Sequence, residues 1–337
     1  MPAATVVPPP AERSPSILQS AAQCSPNAVP ALRVDELRKS YDDLEAVRGI
    51  CFEMHEGEIF GLLGPNGAGK TTTISMIATQ LRPTSGTAHV FGHNVVAEVA
   101  TVRRLIGVAP QEIAAYPHLT AAENLRFFGR MFGIRGAELH RRAAELLQLV
   151  ELDTRAEDEV STFSGGMKRR LNLAVSLVHQ PRLLLLDEPT VGVDPHSREH
   201  IFQLVRNLRN QGKAILYTTH YMEEAEELCN RIAIVDEGQI ITMGHLNDLL
   251  AEAGCAEVIE LRGLPPSVDL GALESAGCVG TTERFDGGVR ILTQNAVRAL
   301  PAITAAVGRY ADTVSVHIAP LSLQTLFMRL TGKELRD

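Results

Sequence analysis

Two short segments of this 337-residue chain carry the residue types that phosphoryl chemistry needs. The first is Gly64-Pro65-Asn66-Gly67-Ala68-Gly69-Lys70-Thr71, spaced G-x-x-x-x-G-K-[ST] directly after the apolar run Ile59–Leu63. Glycines in these places let several backbone N–H groups converge on one anion. Residues 71–79 read as the helix that follows, whose N-terminal dipole points at the same anion. In such a phosphate loop Lys70 reaches the β- and γ-phosphates, the Thr71 hydroxyl ligates Mg2+, and Thr72 is a second donor to phosphate.

The second segment is Asp187-Glu188-Pro189-Thr190, at the end of the apolar run 183–186. Ligands of open α/β sheets bind at the carboxyl ends of strands, which is where this acidic pair falls. Asp187 can hold Mg2+ directly or through its water shell, because that ion keeps several waters. Glu188 can take a proton from, or orient, a water attacking a γ-phosphate. His220 follows the run 214–217 through Thr218-Thr219, again at a carboxyl end, where an imidazole can bond the γ-phosphate and hold water near Glu188. Alone, the acidic pair could be a solvated turn and the histidine a surface group; the phosphate loop upstream gives both their reading. His196 and His200 share a helix face as metal ligands can, but no third ligand or H-E-x-x-H pattern accompanies them. An exposed polar helix is the better reading there.

The segment Thr162-Phe163-Ser164-Gly165-Gly166-Met167-Lys168-Arg169-Arg170 is more specific. Ser164 can cap a helix, and Gly165 and Gly166 open the backbone to an anion. This segment resembles the ABC signature, usually LSGGQ, and lies just before the 183–186 strand as in that family. The resemblance to ABC ATPases extends over residues 32–245. It implies that Tyr41 stacks on the adenine of ATP with Val47 beside it. It implies that Gln111 is the Q-loop glutamine, contacting the metal region and relaying to a membrane subunit. Val193-Asp194 corresponds to the D-loop and His220 to the switch histidine. Phe163 and Met167 depart from the usual Leu and Gln, as they do in the exporter branch that the sequence resembles.

The implied catalytic set is therefore Glu188, His220, Lys70 and Gln111. Tyr41, Gly64, Pro65, Asn66, Gly67, Ala68, Gly69, Lys70, Thr71, Thr72, Ser164, Gly165, Gly166 and Asp194 would bind ATP. Thr71, Gln111 and Asp187 would hold Mg2+. In the family the signature faces the γ-phosphate held by the other subunit's P-loop, so one chain supplies half of each site. The resemblance thus implies a head-to-tail dimer with a second copy around two ATP, working on a separate integral membrane permease.

The elements that must position these groups follow from hydrophobic patterning. The runs at 59–63, 183–186, 214–217 and 232–235 are continuously apolar, which predicts strands of a parallel sheet covered on both faces. Amphipathic helices are expected over 137–150 and 196–209, giving an α/β architecture. With the resemblance this becomes a P-loop NTPase (RecA-like) core carrying the antiparallel β and helical subdomains of an ABC cassette. After residue 246 the texture changes. Strands over 257–261, 289–293 and 313–318 and helices over 295–310 and 321–330 predict a small C-terminal α+β domain. The expected layout is a disordered Pro/Ala/Ser-rich tail at 1–30, the cassette at 31–245 and the accessory domain at 246–337. Residues 106–134 and 321–332 resemble ATP-binding subunits of exporters for drugs, such as daunorubicin, and for lipids or lipo-oligosaccharides.

Composition narrows the partners. A formal net charge of −8 argues against wholesale binding to nucleic acid or anionic lipid, both of which want a basic surface. Lys168–Arg170 then reads as a solvated helix face or a contact for the membrane partner. The five cysteines form no C-x-x-C pair, which suits a reducing cytosol. No apolar run reaches the about 20 residues that a bilayer span needs, and the N-terminus lacks the basic start and apolar block of a signal peptide. The expected place is the cytoplasm, at the inner face of the membrane through the permease. A non-transport ABC ATPase acting on ribosomes or DNA is the alternative, but there is no internal repeat for a second cassette. Nor is there room between Lys70 and Ser164 for a long coiled coil. A GTPase would need an N-K-x-D motif, which is absent.

Overall fold

The computed structural model describes residues 29–252, 257–265, 282–285, 287–310 and 313–331. Residues 1–28 of the expected tail lie outside the described residues. A six-stranded sheet forms the centre, in the order β10-β9-β3-β8-β7-β6. It comprises β3 (Ile59–Leu63), β6 (Ile106–Ala109), β7 (Leu183–Asp187), β8 (Ala214–Thr219), β9 (Arg231–Asp236) and β10 (Gln239–His245). Five strands run parallel and β10 closes one edge antiparallel to β9. Every residue of β3, β7 and β8 is buried, as continuous apolar runs require.

Register is what matters for chemistry. Leu63 pairs with Thr219, Asp187 with Thr218, and Ala109 with Leu186. The carboxyl ends of β3, β6, β7 and β8 therefore finish along one edge. The four segments that leave this edge hold Lys70, Gln111, Glu188 and His220.

Each face of the sheet buries a separate core. On one side lie α1 (Lys70–Ile77) and an antiparallel sheet of β1 (Leu32–Tyr41), β2 (Leu44–Met54), β4 (Ser85–Val90) and β5 (His93–Asn94). Phe52 of β2 stacks on Phe60 of β3 with ring centroids 5.0 Å apart, tying the two sheets together. On the other side lie α3 (Ala121–Met131), α4 (Gly136–Leu149), α5 (Gly165–Ser176) and α6 (Pro195–Asn210), packed on Leu184, Leu186, Ile215 and Tyr217. The helix α2 (Val99–Leu105) leads into β6.

The C-terminal residues form a second antiparallel sheet, ordered β12-β13-β11-β14, from β11 (Glu257–Arg262), β12 (Thr282–Phe285), β13 (Gly288–Thr293) and β14 (Ser315–Pro320). The helix α9 (Ala296–Val307) covers the face carrying Ile259, Leu261, Val289 and Ile291. The last strand starts two residues later than patterning suggests. Thr313 is spent closing a turn, its N–H and hydroxyl both donating to the Tyr310 carbonyl.

This sheet and its following helix pack on the central sheet's flank. The helix α10 (Leu323–Thr331) packs Leu326 and Phe327 against α7 (Met222–Leu228), α8 (Leu246–Glu252) and the strand residues Ile232 and Ile234. Glu226 of α7 accepts the Leu323 N–H at 2.7 Å and so caps α10 from outside. Phe327 is fully buried in this cluster. Phe327→Ala should lower the unfolding free energy by about 3–5 kcal/mol through the cavity it leaves, measured by urea titration. A loss below about 1 kcal/mol would mean that α10 does not pack against α7 and α8.

Candidate functional site

The phosphate loop is held open by backbone geometry. Gly64 donates its N–H to the Thr219 carbonyl at 3.3 Å, joining the ends of β3 and β8. A Cβ added at Gly64 would stand 2.1 Å from the Val235 carbonyl oxygen, so only glycine fits there. Gly69, at φ 98°, precedes α1 without any side-chain cap, and the first turn of that helix carries no acidic residue. The uncapped N–H groups of α1 are thus left for an anionic ligand. Thr71 lies at the surface and Thr72 is half-buried, both within this first turn.

Lys70 is only 4% exposed. Its Nζ donates to the carbonyls of Gly64 (2.7 Å) and Pro65 (3.0 Å) and lies 3.1 Å from Glu188 Oε1. Burial lowers its pKa, while the carboxylates of Glu188 and then Asp187 act in the opposite sense. A buried ammonium on a loop of N–H groups is suited to draw in phosphate oxygens.

Glu188, 4% exposed, is where the site converges. Besides Lys70, it accepts Gln111 Nε2 at 3.2 Å, and His220 Nδ1 stands 3.1 Å from Oε1 without hydrogen-bond alignment. Its backbone has φ 46°, unusual for a residue with a side chain, and its N–H donates to the Thr218 hydroxyl at 3.1 Å. Strain of this kind costs about 1–3 kcal/mol and persists where the surroundings impose it. Next to it, Asp187 accepts the Thr218 hydroxyl at 2.6 Å. Burial raises the Asp187 pKa, and hydrogen bonds from the Thr218 and Thr71 hydroxyls work against that rise.

These groups fit the two ligands that the sequence suggests. Asp187 and the Thr71 hydroxyl lie within hydrogen-bonding reach of one another, so both could face one Mg2+. Among the described residues no cluster of three His, Cys, Asp or Glu forms a metal cage. Mg2+ keeps several waters, so one carboxylate and one hydroxyl with waters and nucleotide phosphates would be enough to hold it. His220 Nδ1 is buried beside Glu188 without a hydrogen-bond partner.

Gln111 is positioned from α5. Arg169 donates to the Gln111 carbonyl and, at 3.3 Å, to the Val191 carbonyl. Asn172 donates to the Pro110 carbonyl (3.1 Å) and accepts the Ala114 N–H (3.0 Å). Arg170 donates to the Val150 carbonyl at 2.8 Å. The expected solvated or partner-facing role of this basic run is thereby corrected for Arg169 and Arg170. Both guanidiniums satisfy backbone carbonyls inside the chain.

Ser164, Gly165, Gly166 and Asp194 form a second cluster. Ser164 caps α5 by accepting the Met167 N–H at 3.3 Å, and Asp194 caps α6 by accepting the Ser197 N–H at 3.0 Å. Those Ser197 bonds lower the Asp194 pKa. Gly166 is buried against Ser197, where an added Cβ would come within 2.5 Å of the serine Cβ. Ser164, Gly165 and Asp194 are exposed on one surface, built from α5 and α6 and not from the phosphate loop. Tyr41, at the end of β1, is 45% exposed with Lys39 Nζ 5.1 Å above its ring. Val47 does not join it. At 1% exposure it lies in the core beneath Gly69, because β2 turns that residue inward.

Several residues here escape sequence reasoning. Thr190, Thr218, Thr219 and Arg169 act through contacts between distant segments. Glu224 did leave a signal: it falls on the stripe of Ala225 and Leu228 on α7, and a carboxylate on an apolar stripe needs buried partners.

Gly64→Ala should weaken binding of a fluorescent ATP analogue by about tenfold or more, because the loop backbone must shift to clear Val235 and a site held together by geometry tolerates little displacement. Unaltered affinity would remove the loop from nucleotide binding.

Known proteins bear on this geometry. The family model described as ABC transporter matches residues 47–191, which include the phosphate loop, Gln111, the Ser164 segment and the acidic pair. The linearmycin resistance ATP-binding protein LnrL of Bacillus subtilis (strain 168) is 43% identical, over 91% of this chain and 100% of its own length. The daunorubicin/doxorubicin resistance ATP-binding protein DrrA of Streptomyces peucetius is 39% identical, over 91% and 94%. The Nod factor export ATP-binding protein I of Paraburkholderia xenovorans (strain LB400) is 40% identical, over 91% and 99%. A solved ATP-binding subunit of an ABC transporter superposes with a TM-score of 0.61 at 30% identity, covering 66% of this chain and 93% of that one. A dimeric ATP-binding cassette in a post-hydrolysis state, bound to ADP and phosphate, gives 0.59 at 29% identity, covering 64% and 98%. The strand-edge site and these likenesses agree: the chain belongs to the ABC transporter family, as an ATP-hydrolysing, ATP-binding subunit.

Proposed function

We propose that this chain is the motor of an exporter, dimerising around two Mg2+-ATP to drive a drug, lipid or other amphipathic compound through a separate permease. The observation that carries the site assignment is the meeting of Lys70, Gln111 and His220 on Glu188, each within 3.2 Å and each from a different strand end. Lys70 and Glu188 pair with one another, so a triphosphate entering the loop competes for Lys70. When Lys70 turns to the β- and γ-phosphates, Glu188 is freed to orient the attacking water and accept its proton. His220 contacts the γ-phosphate, and Gln111 reports on the same place. Mg2+, held by Asp187 and Thr71 with Gln111 nearby, would neutralise charge on the β- and γ-oxygens. Tyr41 offers its exposed ring to adenine.

The surface of Ser164, Gly165 and Asp194 complements the phosphate loop of a second copy, giving two complete sites per dimer. A solved relative is a dimer with ADP and phosphate, which supports this assembly. Among the described residues no helix is long and apolar enough to cross a membrane. Tyr116, Phe127, Met131 and Phe132 are exposed on α3 and just to either side of it, downstream of Gln111. Exposed apolar patches of this kind serve protein contacts, and this one suits the permease, at the inner face of the membrane. Residues 31–245 form the cassette, and 246–337 the accessory unit that leans on α7. The names of the relatives, which speak of resistance to linearmycin and daunorubicin and of Nod factor export, support outward transport.

Glu188→Gln should leave nucleotide affinity intact, lower ATP turnover by about a hundredfold or more, and accumulate ATP-bound dimers on size exclusion. In the same preparation from membranes, the chain should carry an integral membrane protein. Turnover at the parent rate would remove Glu188 from its role; recovery on ribosomes or DNA would replace the transport reading.

A further inference from the structure

Four residues past the switch histidine position, α7 carries a buried carboxylate that none of the roles above uses. Glu224 is 1% exposed. It accepts the Thr190 hydroxyl at 2.6 Å on Oε1, and the Tyr217 and Thr219 hydroxyls at 3.0 and 2.9 Å on Oε2. Arg198 of α6 approaches Oε1 at 3.8 Å and lies over the Tyr221 ring. A carboxylate taken out of water is costly unless donors and a cation meet it, and here three hydroxyls and a guanidinium do.

The partners are informative. Thr190 stands two residues beyond Glu188, and Thr219 immediately before His220. With its proton committed to Glu224, the Thr219 oxygen accepts the Tyr221 N–H at 2.9 Å, closing a bond across His220. The imidazole itself makes no aligned hydrogen bond through Nδ1; it packs on Tyr221 with ring centroids 4.1 Å apart. Its aim is therefore set by the backbone on either side, which Glu224 ties to the segment after Glu188.

We infer that Glu224 is a positioning residue for ATP hydrolysis, acting through His220 by locking the His220 loop and the Thr190 segment into one hydrogen-bonded unit. The inference rests on the reading of His220 as the γ-phosphate contact. A carboxylate that served only to fill the core would affect folding but would not couple to that histidine.

The test is a double-mutant cycle on the full chain, reading kcat and equilibrium ATP binding for Glu224→Gln, His220→Ala and the pair. Glu224→Gln should lower kcat by about tenfold or more, as supporting-shell changes do, with ATP affinity unchanged. In the His220→Ala background it should have little further effect on the residual rate. An unchanged kcat for Glu224→Gln, an equal loss in both backgrounds, or affinity falling in step with kcat would overturn the inference. Full turnover by His220→Ala alone would instead overturn the reading of that histidine. Should Glu224→Gln fail to fold, Thr219 decides. Thr219→Ser should recover most of the turnover that Thr219→Val loses, and equal rates in the two would overturn the proposal.

Discussion

A carboxylate buried at the end of a strand is tolerable only if positive charge and donors are brought to it, and Glu188 organises this molecule in that sense. Lys70, Gln111 and His220 reach it from β3, β6 and β8, whose carboxyl ends are levelled by parallel register. A slip of one residue between β7 and β8 would turn Thr218 away from Asp187 and separate His220 from Glu188, because side chains alternate between faces. The continuous burial of these strands opposes such a slip. The hydrophobic core thus sets the distances among Lys70, Gln111, Glu188 and His220.

Around this centre, polar side chains fasten loops that the strands alone would leave free. Arg169 spans the carbonyls of Gln111 and Val191, so the loop after β6 and the loop after Glu188 hang on one guanidinium of α5. Glu224 does the corresponding work between the Thr190 and His220 segments. Since α7 also caps and packs α10, the accessory unit rests on the helix that follows the histidine. The His220 segment and the C-terminal helix thus both bear on α7.

The sequence makes the chemistry legible where it is local. The run 59–63 coincides with β3, because a strand buried on both faces leaves an unbroken apolar run, and the phosphate loop follows it directly. The antiparallel strands β1 and β2 are harder to see. Register shifts near Leu37 and Lys39 break their alternation, and with it the period-two signal. Val47 was misplaced for a related reason: its position beside Tyr41 came from resemblance, whereas its inward direction comes from the pleat. Arg169 and Arg170 read as surface charge because their partners are carbonyls, which leave no mark in a sequence. Glu224 depends on Thr190, Tyr217 and Thr219 from two other elements, and only folding brings these together.

In the proposed mechanism Lys70 leaves Glu188 for the phosphates and so releases the carboxylate for hydrolysis. A structure of the chain with Mg2+ and a non-hydrolysable ATP analogue tests it most directly. Lys70 Nζ should then lie on the β- and γ-phosphate oxygens, with Glu188 facing the water in line with the γ-phosphate. Lys70 still paired with Glu188 while the nucleotide is bound would contradict it.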